Sequence, residues 1–386
     1  RIFAVTGTNG KTTVSHLLAR VCDFLDETAA TVGTLGYGHP DHLIPLANTT
    51  PDVVSLHGIL RTLRDQGCSV VTMEASSHGL DQGRLDEVRI STVIATNITR
   101  DHLDYHHTME AYFQAKARIA SWPGLRNLIL NLDDPLVSRM AKMAQAGVRV
   151  VGFSLHGDSK AEVSLVGCEY YPQGMLLNIR VGQQDYQLNS RLMGEFNIAN
   201  ILAVTAALWV EGFSLDAVFA ALSRVGPVLG RMECLPQLNI KLPVVVVDYA
   251  HTPDALEQVL KSLRKHCVNK RLWCVFGCGG NRDKGKRPLM GRIAETLADC
   301  VVVTTDNPRL ENPDAIIKEI RSGMKTDSSA SIIADRAAAI QYAIQSAAEG
   351  DVILLAGKGH ENYQEIGSER FHFSDHEVAM AALQAR

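Results

Sequence analysis

The chain has 386 residues, too many for one typical hydrophobic core, so we expect two domains. Apolar residues make up 46%, charged residues make up 21%, and the formal net charge is −4, as in ordinary soluble proteins. This balance excludes a basic field for nucleic acid and a polybasic patch for membranes, and no apolar run reaches the length of a membrane span. The eight scattered cysteines favour reduced thiols and therefore a cytoplasmic protein.

The first thirteen residues, RIFAVTGTNGKTT, have the layout of a phosphate-binding loop. Residues 2–5 form a short apolar run typical of a buried strand, and residues 14–26 are predicted to be a helix. Glycines let backbone N–H groups approach phosphate oxygens, and the start of a helix favours negative charge. We therefore predict nucleotide binding, with Lys11 as the cation. The spacing is unusual, because two residues separate Gly7 from Gly10 where G-x-x-x-x-G-K-[ST] has four.

Two residues of this region are candidate magnesium ligands. The Thr12 hydroxyl is placed to hold an ion that bridges the phosphates. Residues 69–74 read as a strand that ends in Glu74, and an acidic group at the end of a strand beside a phosphate loop commonly serves magnesium. The alternative for Glu74 is a cap on the following turn.

Two polar loops in the first half are candidate binding segments. Asn48, Thr49 and Thr50 precede a helix predicted over residues 51–66, and by local pattern alone they could equally be its cap. Residues 75–84 follow the strand that ends in Glu74 and are dense in hydrogen-bonding side chains. Loops at the carboxyl edge of a sheet are where ligands bind in this class.

A further strand, residues 90–97, leads into a polar stretch that contains His102. A helix predicted over residues 109–119 carries Lys116. By residue pattern alone, a single lysine on a helix indicates a solvent-exposed face. The pattern of this helix therefore predicts an exposed Lys116 without a functional role.

The remaining elements complete an α/β pattern. Residues 128–130 and 148–153 are predicted strands, residues 161–188 an antiparallel excursion, and residues 196–209 an apolar helix. The glycine- and proline-rich joint at residues 226–231 separates predicted domains 1–229 and 230–386. In the second half, strands are predicted over residues 244–248, 271–276, 300–305 and 351–355. Strands that alternate with helices imply parallel sheets, so we predict a P-loop-type ATPase domain with a mostly parallel sheet, followed by a smaller Rossmann-like α/β domain.

Together these motifs resemble one family, the ATP-dependent Mur ligases of bacterial cell-wall synthesis. TGTNGKTT at residues 6–13 resembles their short phosphate loop, which accounts for the unusual spacing. TNITRDHLDYH at residues 96–106, with Lys116, resembles their magnesium site of a histidine and a carbamylated lysine, and GRMEC and DYAHTPD at residues 230–234 and 248–254 resemble their interdomain ATP contacts. The resemblance covers essentially the whole chain. It implies ATP contacts at Gly7, Thr8, Asn9, Gly10, Lys11, Thr12, Thr13, Asn97, Arg231, Asp248 and His251, and Mg²⁺ ligands at Thr12, Glu74, His102 and Lys116.

Carbamylation changes what Lys116 can do. A carbamate is an anionic oxygen ligand of the kind that magnesium prefers, whereas an unmodified lysine beside two metal ions would be repelled. The residues implied to be catalytic are Lys11, Glu74, His102 and Lys116.

The segment Asp306-Asn307-Pro308-Arg309 resembles the D-N-P-R motif of the branch of this family that adds meso-diaminopimelate. An arginine can fork onto a carboxylate of that ligand while Glu361 meets its distal ammonium, and the lysine-adding relatives lack the arginine. An ordinary Asx-Pro turn would explain the backbone but not the charges. The resemblance implies amino-acid contacts at Arg282, Asp306, Asn307, Pro308, Arg309, Gly357 and Glu361, and contacts to UDP-MurNAc-L-Ala-D-Glu at Asn48, Thr49, Thr50, Ser76, Gln82 and Arg84.

The implied activity is ligation of the amino acid through an acyl phosphate, by a monomer in the cytoplasm. The family has an N-terminal domain that holds the uridine diphosphate, and since this sequence opens directly on a strand we expect that domain to be missing. One alternative is a folylpolyglutamate synthetase-like ligase, whose loop resembles T-G-T-N-G-K-G-S, while Thr12 and Thr13 follow Lys11 here. Two others are a regulatory ATPase, which would not need the charges at Arg282, Arg309 and Glu361, and a chain that binds its ligands without catalysis.

Overall fold

The computed structural model describes residues 1–236, 239, 241–267 and 269–386. These residues form two compact units. The first comprises Arg1–Glu169, Leu176–Ser190 and Glu195–Val225, and the second comprises Tyr170–Met175, Arg191–Gly194 and Gly226–Arg386. The sequence-based domains, 1–229 and 230–386, stay a prediction.

The first unit is built on an eleven-stranded sheet with the order β11-β10-β9-β8-β7-β6-β1-β5-β2-β3-β4. Its strands from β2 through β5, β1, β6 and β7 to β8 and β9 pair in parallel, whereas β2–β3 and β3–β4 pair antiparallel. Strands β9, β10 and β11 are joined by two-residue connections, which only antiparallel neighbours permit. The strands are β1 (Ile2–Thr6), β2 (Ala29–Gly33), β3 (Gly36–His39), β4 (His42–Ile44), β5 (Val70–Glu74), β6 (Thr92–Ala95), β7 (Asn127–Asn131), β8 (Arg149–Ser154), β9 (Val163–Tyr171), β10 (Gly174–Val181) and β11 (Gln184–Ser190).

Strand β1 lies near the middle of this sheet, and its composition explains why. Phe3, Ala4 and Val5 are each 0% exposed, as expected of a parallel strand covered on both faces by helices. The helices are α1 (Lys11–Phe24), α2 (Val53–Asp65), α3 (Ser77–Asp81), α4 (Leu103–His106), α5 (Met109–Ala117), α6 (Pro135–Arg139), α7 (Glu195–Val210) and α8 (Leu215–Arg224), with 3-10 turns at Arg118–Ser121 and Met140–Met143.

Some predicted boundaries in this unit are wrong. Helix α1 begins at Lys11 and not at residue 14, because Gly10 takes a left-handed conformation that starts the helix earlier. Strand β6 is shorter than the predicted strand over residues 90–97. The β3–β4 hairpin was not predicted at all, since its sequence, GYGHPDHLI, has neither the alternation nor the branched residues of a half-buried strand.

The second unit contains a smaller sheet with the order β12-β13-β17-β14-β15-β16, parallel except for the β12–β13 edge. The α/β prediction of two sheets, one large and mostly parallel and one smaller, is therefore confirmed. The strands are β12 (Glu233–Cys234), β13 (Val244–Asp248), β14 (Leu272–Phe276), β15 (Cys300–Val303), β16 (Ser331–Ile332) and β17 (Val352–Ala356), and a separate hairpin contains β18 (Tyr363–Ile366) and β19 (Glu369–His372). The helices are α9 (Pro253–Arg264), α10 (Lys286–Leu297), α11 (Pro313–Arg321), α12 (Arg336–Ser346) and α13 (Asp375–Gln384).

A buried ion pair lies behind the carboxyl edge of this smaller sheet. Arg336 and Asp375 have fully buried side chains and meet at 2.7 Å. Arg336 also donates to the carbonyl oxygen of Ala356 at the end of β17 (2.9 Å). The pair therefore ties α12 and α13 to the strand end from which the 357–361 loop departs. In the described part of the chain, no helix is both long enough and apolar enough to cross a membrane.

Candidate functional site

The turn between β1 and α1 is shaped by two glycines in conformations that other residues avoid. Gly7 has φ +147° and Gly10 has φ +86°. A Cβ atom at Gly7 would collide with Oγ1 of Thr96. The first N–H groups of a helix have no partner within the helix, so the start of α1 at Lys11 provides donors and a favourable dipole for an anion. The geometry suits phosphate.

Asn97 holds this turn by two hydrogen bonds to a single residue. Its Oδ1 accepts from the backbone N–H of Asn9 (2.8 Å), and its Nδ2 donates to the carbonyl oxygen of Asn9 (3.1 Å). Thr96 Oγ1 donates to the same carbonyl (2.6 Å). Asn97 was predicted to contact ATP, and here its side chain fixes the loop that would do so.

Two lysines meet at the carbonyl oxygen of Gly7. Lys11 Nζ donates to it (3.0 Å) and to the carbonyl of Thr8 (2.9 Å), while Lys116 Nζ donates to it from helix α5 (2.7 Å). Lys116 is 1% exposed, so the solvated lysine suggested by residue pattern alone is wrong. Burial, and secondly the charge of Lys11, hold the pKa of Lys116 well below its ordinary value. A lowered pKa favours the neutral amine, which is the form that reacts with carbon dioxide.

Glu74 combines burial with hydroxyl neighbours. Its side chain lies at the end of β5 and is 1% exposed. Oε2 accepts from the hydroxyls of Thr12 (3.1 Å) and Thr34 (3.2 Å), and Oε1 accepts from the backbone N–H of Thr34 (2.8 Å). The turn that follows is capped by Ser76, which accepts from Gly79 N, so the alternative role of Glu74 as a cap is wrong. A carboxylate beside a hydroxyl is the hard oxygen donor set that Mg²⁺ prefers, and Thr12 and Glu74 fit one such ion.

Tyr112 links the histidine of the predicted second metal site to the phosphate loop. The ring centroid of His102 lies 6.3 Å from that of Tyr112, and Lys116 Nζ lies 4.8 Å from the same ring. The Tyr112 hydroxyl is 3.0 Å from Thr8 Oγ1. His102 itself takes a left-handed conformation with φ +50°. Among the residues that the structure describes, no three His, Cys, Asp or Glu side chains form a metal-binding group, so the pairing of His102 with Lys116 as ligands stays a prediction.

The loop before α2 is joined to the loop after β5. Thr50 Oγ1 donates to the carbonyl of Glu74 (2.8 Å) and accepts from Ser76 N (3.1 Å), and Arg84 donates to the carbonyl of Thr50 (2.8 Å). Gln82 Oε1 accepts from both Nε (3.0 Å) and NH2 (2.6 Å) of Arg84. The structure thus brings four of the residues predicted to contact UDP-MurNAc-L-Ala-D-Glu into one hydrogen-bonded cluster.

The other two residues of that set border the cluster. Thr49 Oγ1 lies 3.1 Å from Thr34 Oγ1, and Asn48 is exposed. The cap of α2 is Asp52, which accepts from Ser55 N (3.0 Å). A capping role for residues 48–50 is therefore wrong. The hydroxyls of Thr49 and Thr50 bond to other loops, and Asn48 is the exposed member of the three.

In the second unit, Asp248 ends β13 and organises the segment that contains Arg231. Its two oxygens accept from the backbone N–H groups of Met232 (2.7 Å) and Ala250 (2.8 Å). Burial raises the pKa of Asp248, and the positive charge of Arg231 opposes this shift. The Arg231 guanidinium lies 4.8 Å from the ring centroid of Tyr249, and His251 Nδ1–H donates to the carbonyl of Tyr249 (2.8 Å). The three predicted ATP contacts of this unit therefore surround Tyr249.

His360 lies beside Tyr249 and is expected to make the stability of the protein sensitive to acid. Burial, and secondly Arg231, lower its pKa from 6.5 to about 4. The unfolded chain therefore binds more protons than the folded chain between these values, and the free energy of unfolding falls as pH falls from about 6.5 to about 4. The full loss is roughly 3 kcal/mol, since one pKa unit corresponds to about 1.4 kcal/mol.

The measurement is urea unfolding of the chain and of His360→Gln between about pH 4.5 and pH 7.5. The variant is expected to lose stability less steeply toward acid. His42→Gln, which removes an exposed histidine, controls for a generic effect of the substitution. Parallel pH curves for the wild-type chain and His360→Gln would contradict the assignment.

The residues of the D-N-P-R segment meet the 357–361 loop at the edge of the smaller sheet. Asn307 Nδ2 donates to Glu361 Oε2 (2.9 Å). Gly357 has φ +116°, and a Cβ atom there would lie 2.6 Å from Oδ2 of Asp306, so only glycine lets these two loops approach. The carbonyl of Pro308 packs so closely on Gly280 that a Cβ atom at Gly280 would collide with it.

Arg309 is held by Glu365, a residue that sequence reasoning missed. Its Nε donates to Glu365 Oε2 (2.9 Å), its backbone N–H to the Glu365 carbonyl (3.0 Å), and its NH1 to the carbonyl of Gly280 (2.9 Å). The backbone of Arg309 has φ +51°, a left-handed conformation that is unfavourable for residues other than glycine. Such a conformation persists only where the surrounding structure enforces it. Arg282, also predicted to contact the amino acid, is exposed and lies with Arg309 beside Gly279.

Other functional candidates were also missed, for lack of a sequence signal. Thr34 and Tyr112 belong to no motif and are recognised only by their contacts. Lys358 lies between Gly357 and Glu361, the two residues of this loop that the sequence analysis assigned to the amino-acid site. Its side chain is completely buried.

Comparison with known proteins identifies the family of the chain. The Mur ligase middle domain matches residues 5–208, and the Mur ligase glutamate ligase domain matches residues 230–359. A UDP-N-acetylmuramoyl-L-alanyl-D-glutamate--2,6-diaminopimelate ligase of Neisseria meningitidis serogroup B is 45% identical over 100% of this chain and 78% of its own length. A solved structure of a ligase with that name gives a TM-score of 0.77 at 40% identity, over 100% of this chain and 78% of the other.

A more distant likeness concerns the fold alone. The folylpolyglutamate synthase of Mycobacterium tuberculosis gives a TM-score of 0.72 at 17% identity, over 92% of this chain and 88% of the other. At that identity the likeness carries no information about substrate. From the two domain matches and the 45% identity to the Neisseria ligase over the whole of this chain, the chain belongs to the Mur ligase family.

Proposed function

We propose that this chain is the ligase that adds meso-diaminopimelate to UDP-MurNAc-L-Ala-D-Glu, with ATP, in the synthesis of peptidoglycan precursor. The observation that carries the proposal is a charged cluster, which we call the pocket of the second unit. There the amide donor of Asn307 bonds the Glu361 carboxylate, and Glu365 joins Asn307 to the Arg309 guanidinium. A ligand with two amines and two carboxylates requires that combination. The name of the Neisseria relative supports the same substrate pair.

The first step is phosphorylation of the D-Glu side-chain carboxylate. A carboxylate oxygen attacks the γ-phosphorus of ATP, the bond from that phosphorus to the bridging oxygen breaks, and ADP leaves. Lys11 and the backbone N–H groups at the start of α1 would stabilise the charge on the phosphoryl group during transfer. Lys11 Nζ now donates to the carbonyls of Gly7 and Thr8, 3.0 and 2.9 Å away, and would exchange them for phosphate oxygens.

Magnesium would be held by Thr12 and Glu74, and a second ion by His102 and a carbamylated Lys116. When bound, these ions would neutralise charge on the phosphates and orient them. The lowered pKa of Lys116 supports carbamylation, because the modification requires a neutral amine. The carbamate would keep one N–H on Nζ that can donate to Gly7, and it would add two oxygens that can bind metal.

The second step forms the amide bond. The amine of meso-diaminopimelate attacks the acyl carbon, loses a proton, and expels phosphate as the acyl–oxygen bond breaks. Arg309 and Asn307 would bind a carboxylate of the amino acid, and Glu361 an ammonium. The cluster of Thr50, Ser76, Gln82 and Arg84 in the first unit would position the muramoyl peptide. We further propose that the enzyme acts as a monomer in the cytoplasm.

The proposal predicts that ADP release requires both the muramoyl dipeptide and meso-diaminopimelate. The rate with both substrates is expected to exceed the rate with either alone by at least about 100-fold. An acyl phosphate that is shielded from water is not hydrolysed, so it turns over only when the amine is bound. A coupled assay of ADP release measures this, with lysine in place of meso-diaminopimelate as the comparison amino acid.

Each contrary result points to a different activity. Turnover with lysine but not with meso-diaminopimelate would overturn the choice of amino acid. ATP turnover without any peptide substrate would indicate a regulatory ATPase, and turnover with folate and glutamate would indicate a folylpolyglutamate synthetase-like ligase.

A further inference from the structure

Lys358 is a completely buried lysine in the pocket of the second unit. Its side chain is 0% exposed, and its ammonium reaches Oδ1 of Asn307 (3.1 Å) and Oε2 of Glu361 (3.4 Å). It also lies 5.6 Å from the ring centroid of Tyr363. A buried lysine is costly unless it is paired, so its contacts indicate what it does.

The contacts of Lys358 determine which way round the amide of Asn307 lies. Oδ1 of Asn307 accepts from Lys358 Nζ and from the backbone N–H of Glu365 (3.0 Å). An ammonium and a backbone N–H can only donate, so the oxygen of the amide must face them and the nitrogen must face away. Nδ2 consequently donates to Glu361 Oε2 at 2.9 Å.

This orientation leaves one donor and one acceptor for a ligand. Nδ2 of Asn307 carries a second hydrogen, which suits a carboxylate. Within the described part of the chain, Glu361 Oε1 has no hydrogen bond, so it can accept from an ammonium. If the amide were reversed, its oxygen would face the Glu361 carboxylate and the pocket would present two acceptors.

We propose that Lys358 is a positioning residue that sets the donor and acceptor pattern of this pocket and thereby its preference for an amino acid whose distal end, away from the reacting amine, bears a carboxylate beside an ammonium. Lys358 itself does not touch the ligand. It acts through Asn307, whose amide it orients, and through Glu361, whose negative charge it balances. This inference rests on the proposed function, because it assigns the pocket to the incoming amino acid.

The test is Lys358→Met, which keeps the length and volume of the side chain and removes its charge and donors. The KM for meso-diaminopimelate is expected to rise about 10- to 100-fold, the equivalent of one or two hydrogen bonds to charged groups. The KM values for ATP and for the muramoyl dipeptide are expected to stay within about twofold, since Lys358 contacts neither predicted site. The ratio of kcat/KM for meso-diaminopimelate over lysine is expected to fall by a similar factor.

Three controls separate positioning from a merely structural role. Lys318→Met removes an exposed lysine of the same unit and is expected to change nothing. Lys358→Arg, which keeps a charged donor, is expected to retain more of the amino-acid preference than Lys358→Met. In a double-mutant cycle, the combined effect of Lys358→Met and Asn307→Ala is expected to be clearly smaller than the sum of the two single effects, because both remove the same oriented amide.

The possible results are distinguishable. Additive effects with Asn307→Ala, an equal rise in all three KM values, or equal damage from arginine and methionine would each overturn the inference. If the wild-type chain turns over lysine and not meso-diaminopimelate, the proposed function fails instead. A wild-type chain that prefers meso-diaminopimelate, with an unchanged preference in Lys358→Met, leaves the function standing and refutes the role of Lys358.

Discussion

Replacement of Lys116 by alanine is expected to reduce turnover by at least about 100-fold, as expected when a metal ligand is removed from a phosphoryl-transfer site. Lys116 Nζ lies 2.7 Å from the carbonyl oxygen of Gly7, inside the phosphate loop. Its burial lowers the pKa of the amine and so favours the neutral form that carbon dioxide can modify. Loss of the side chain would therefore remove an anionic oxygen from the place where the phosphoryl group is transferred.

A short carboxylic acid is expected to restore part of the activity of Lys116→Ala. The substitution opens a space beside Tyr112 and Gly7 that acetate or formate can enter, and its carboxylate would stand in for the carbamate. ADP release with increasing acetate measures the rescue, with a chloride salt at equal ionic strength as the reference. Lys142→Ala, which truncates an exposed lysine of the same unit, is the matched control and is expected to behave as wild type.

The prediction for Lys116 has a clear contrary result. Full activity of Lys116→Ala without added acid would refute the carbamate. Loss of activity without any rescue would indicate that Lys116 acts unmodified, through its hydrogen bond to the Gly7 carbonyl. Thermal unfolding of the variant would show whether the loss came from an unfolded chain instead.

The parts of the site that lie close together in sequence were predictable. Residues 2–13 contain the whole of strand β1, the turn and the start of α1, so their pattern encodes the phosphate loop locally. The place of Glu74 at the end of strand β5 was predictable for the same reason, while its role as a metal ligand stays a prediction. In each case the side chain and the element that places it belong to one short segment.

The rest depends on contacts between distant segments, which local patterns do not contain. Thr34 reaches Glu74 across 40 residues, and Glu365 reaches Arg309 across 56. Both belong to short hairpins or turns whose polar residues lack any alternation. Their hydrogen bonds exist only once the strands have been ordered in the sheet.

Lys116 shows how a local pattern can mislead. On helix α5 it lies one turn after Tyr112, and both side chains are buried, with Tyr112 0% exposed. Residues four apart share a helix face, so the buried face of α5 includes the lysine. The pairing with an aromatic residue one turn earlier was a signal in the sequence that could have indicated burial.

The substitution Glu74→Gln is expected to lower kcat by about 100-fold and to raise the Mg²⁺ concentration needed for half-maximal rate. Glutamine has nearly the same shape, and the hydroxyls of Thr12 and Thr34 can each rotate to accept from its amide where they now donate to the carboxylate. Its oxygen can still accept from the backbone N–H of Thr34. The fold is therefore expected to survive, and the loss to come from the missing negative charge.

Two matched variants identify the charge as the cause. Glu110→Gln neutralises an exposed glutamate of the same unit, 57% exposed and paired with Arg139, and is expected to leave the Mg²⁺ dependence unchanged. Thr34→Val removes the hydroxyl bond to Glu74 but keeps the carboxylate, so it is expected to cost only a few-fold in rate, the worth of about one hydrogen bond. If Thr34→Val were as damaging as Glu74→Gln, the position of the carboxylate rather than its charge would limit the rate. If Glu74→Gln kept the Mg²⁺ dependence of the wild-type chain, Glu74 would not be a metal ligand, and its buried charge would serve only to hold Thr12 and Thr34 together.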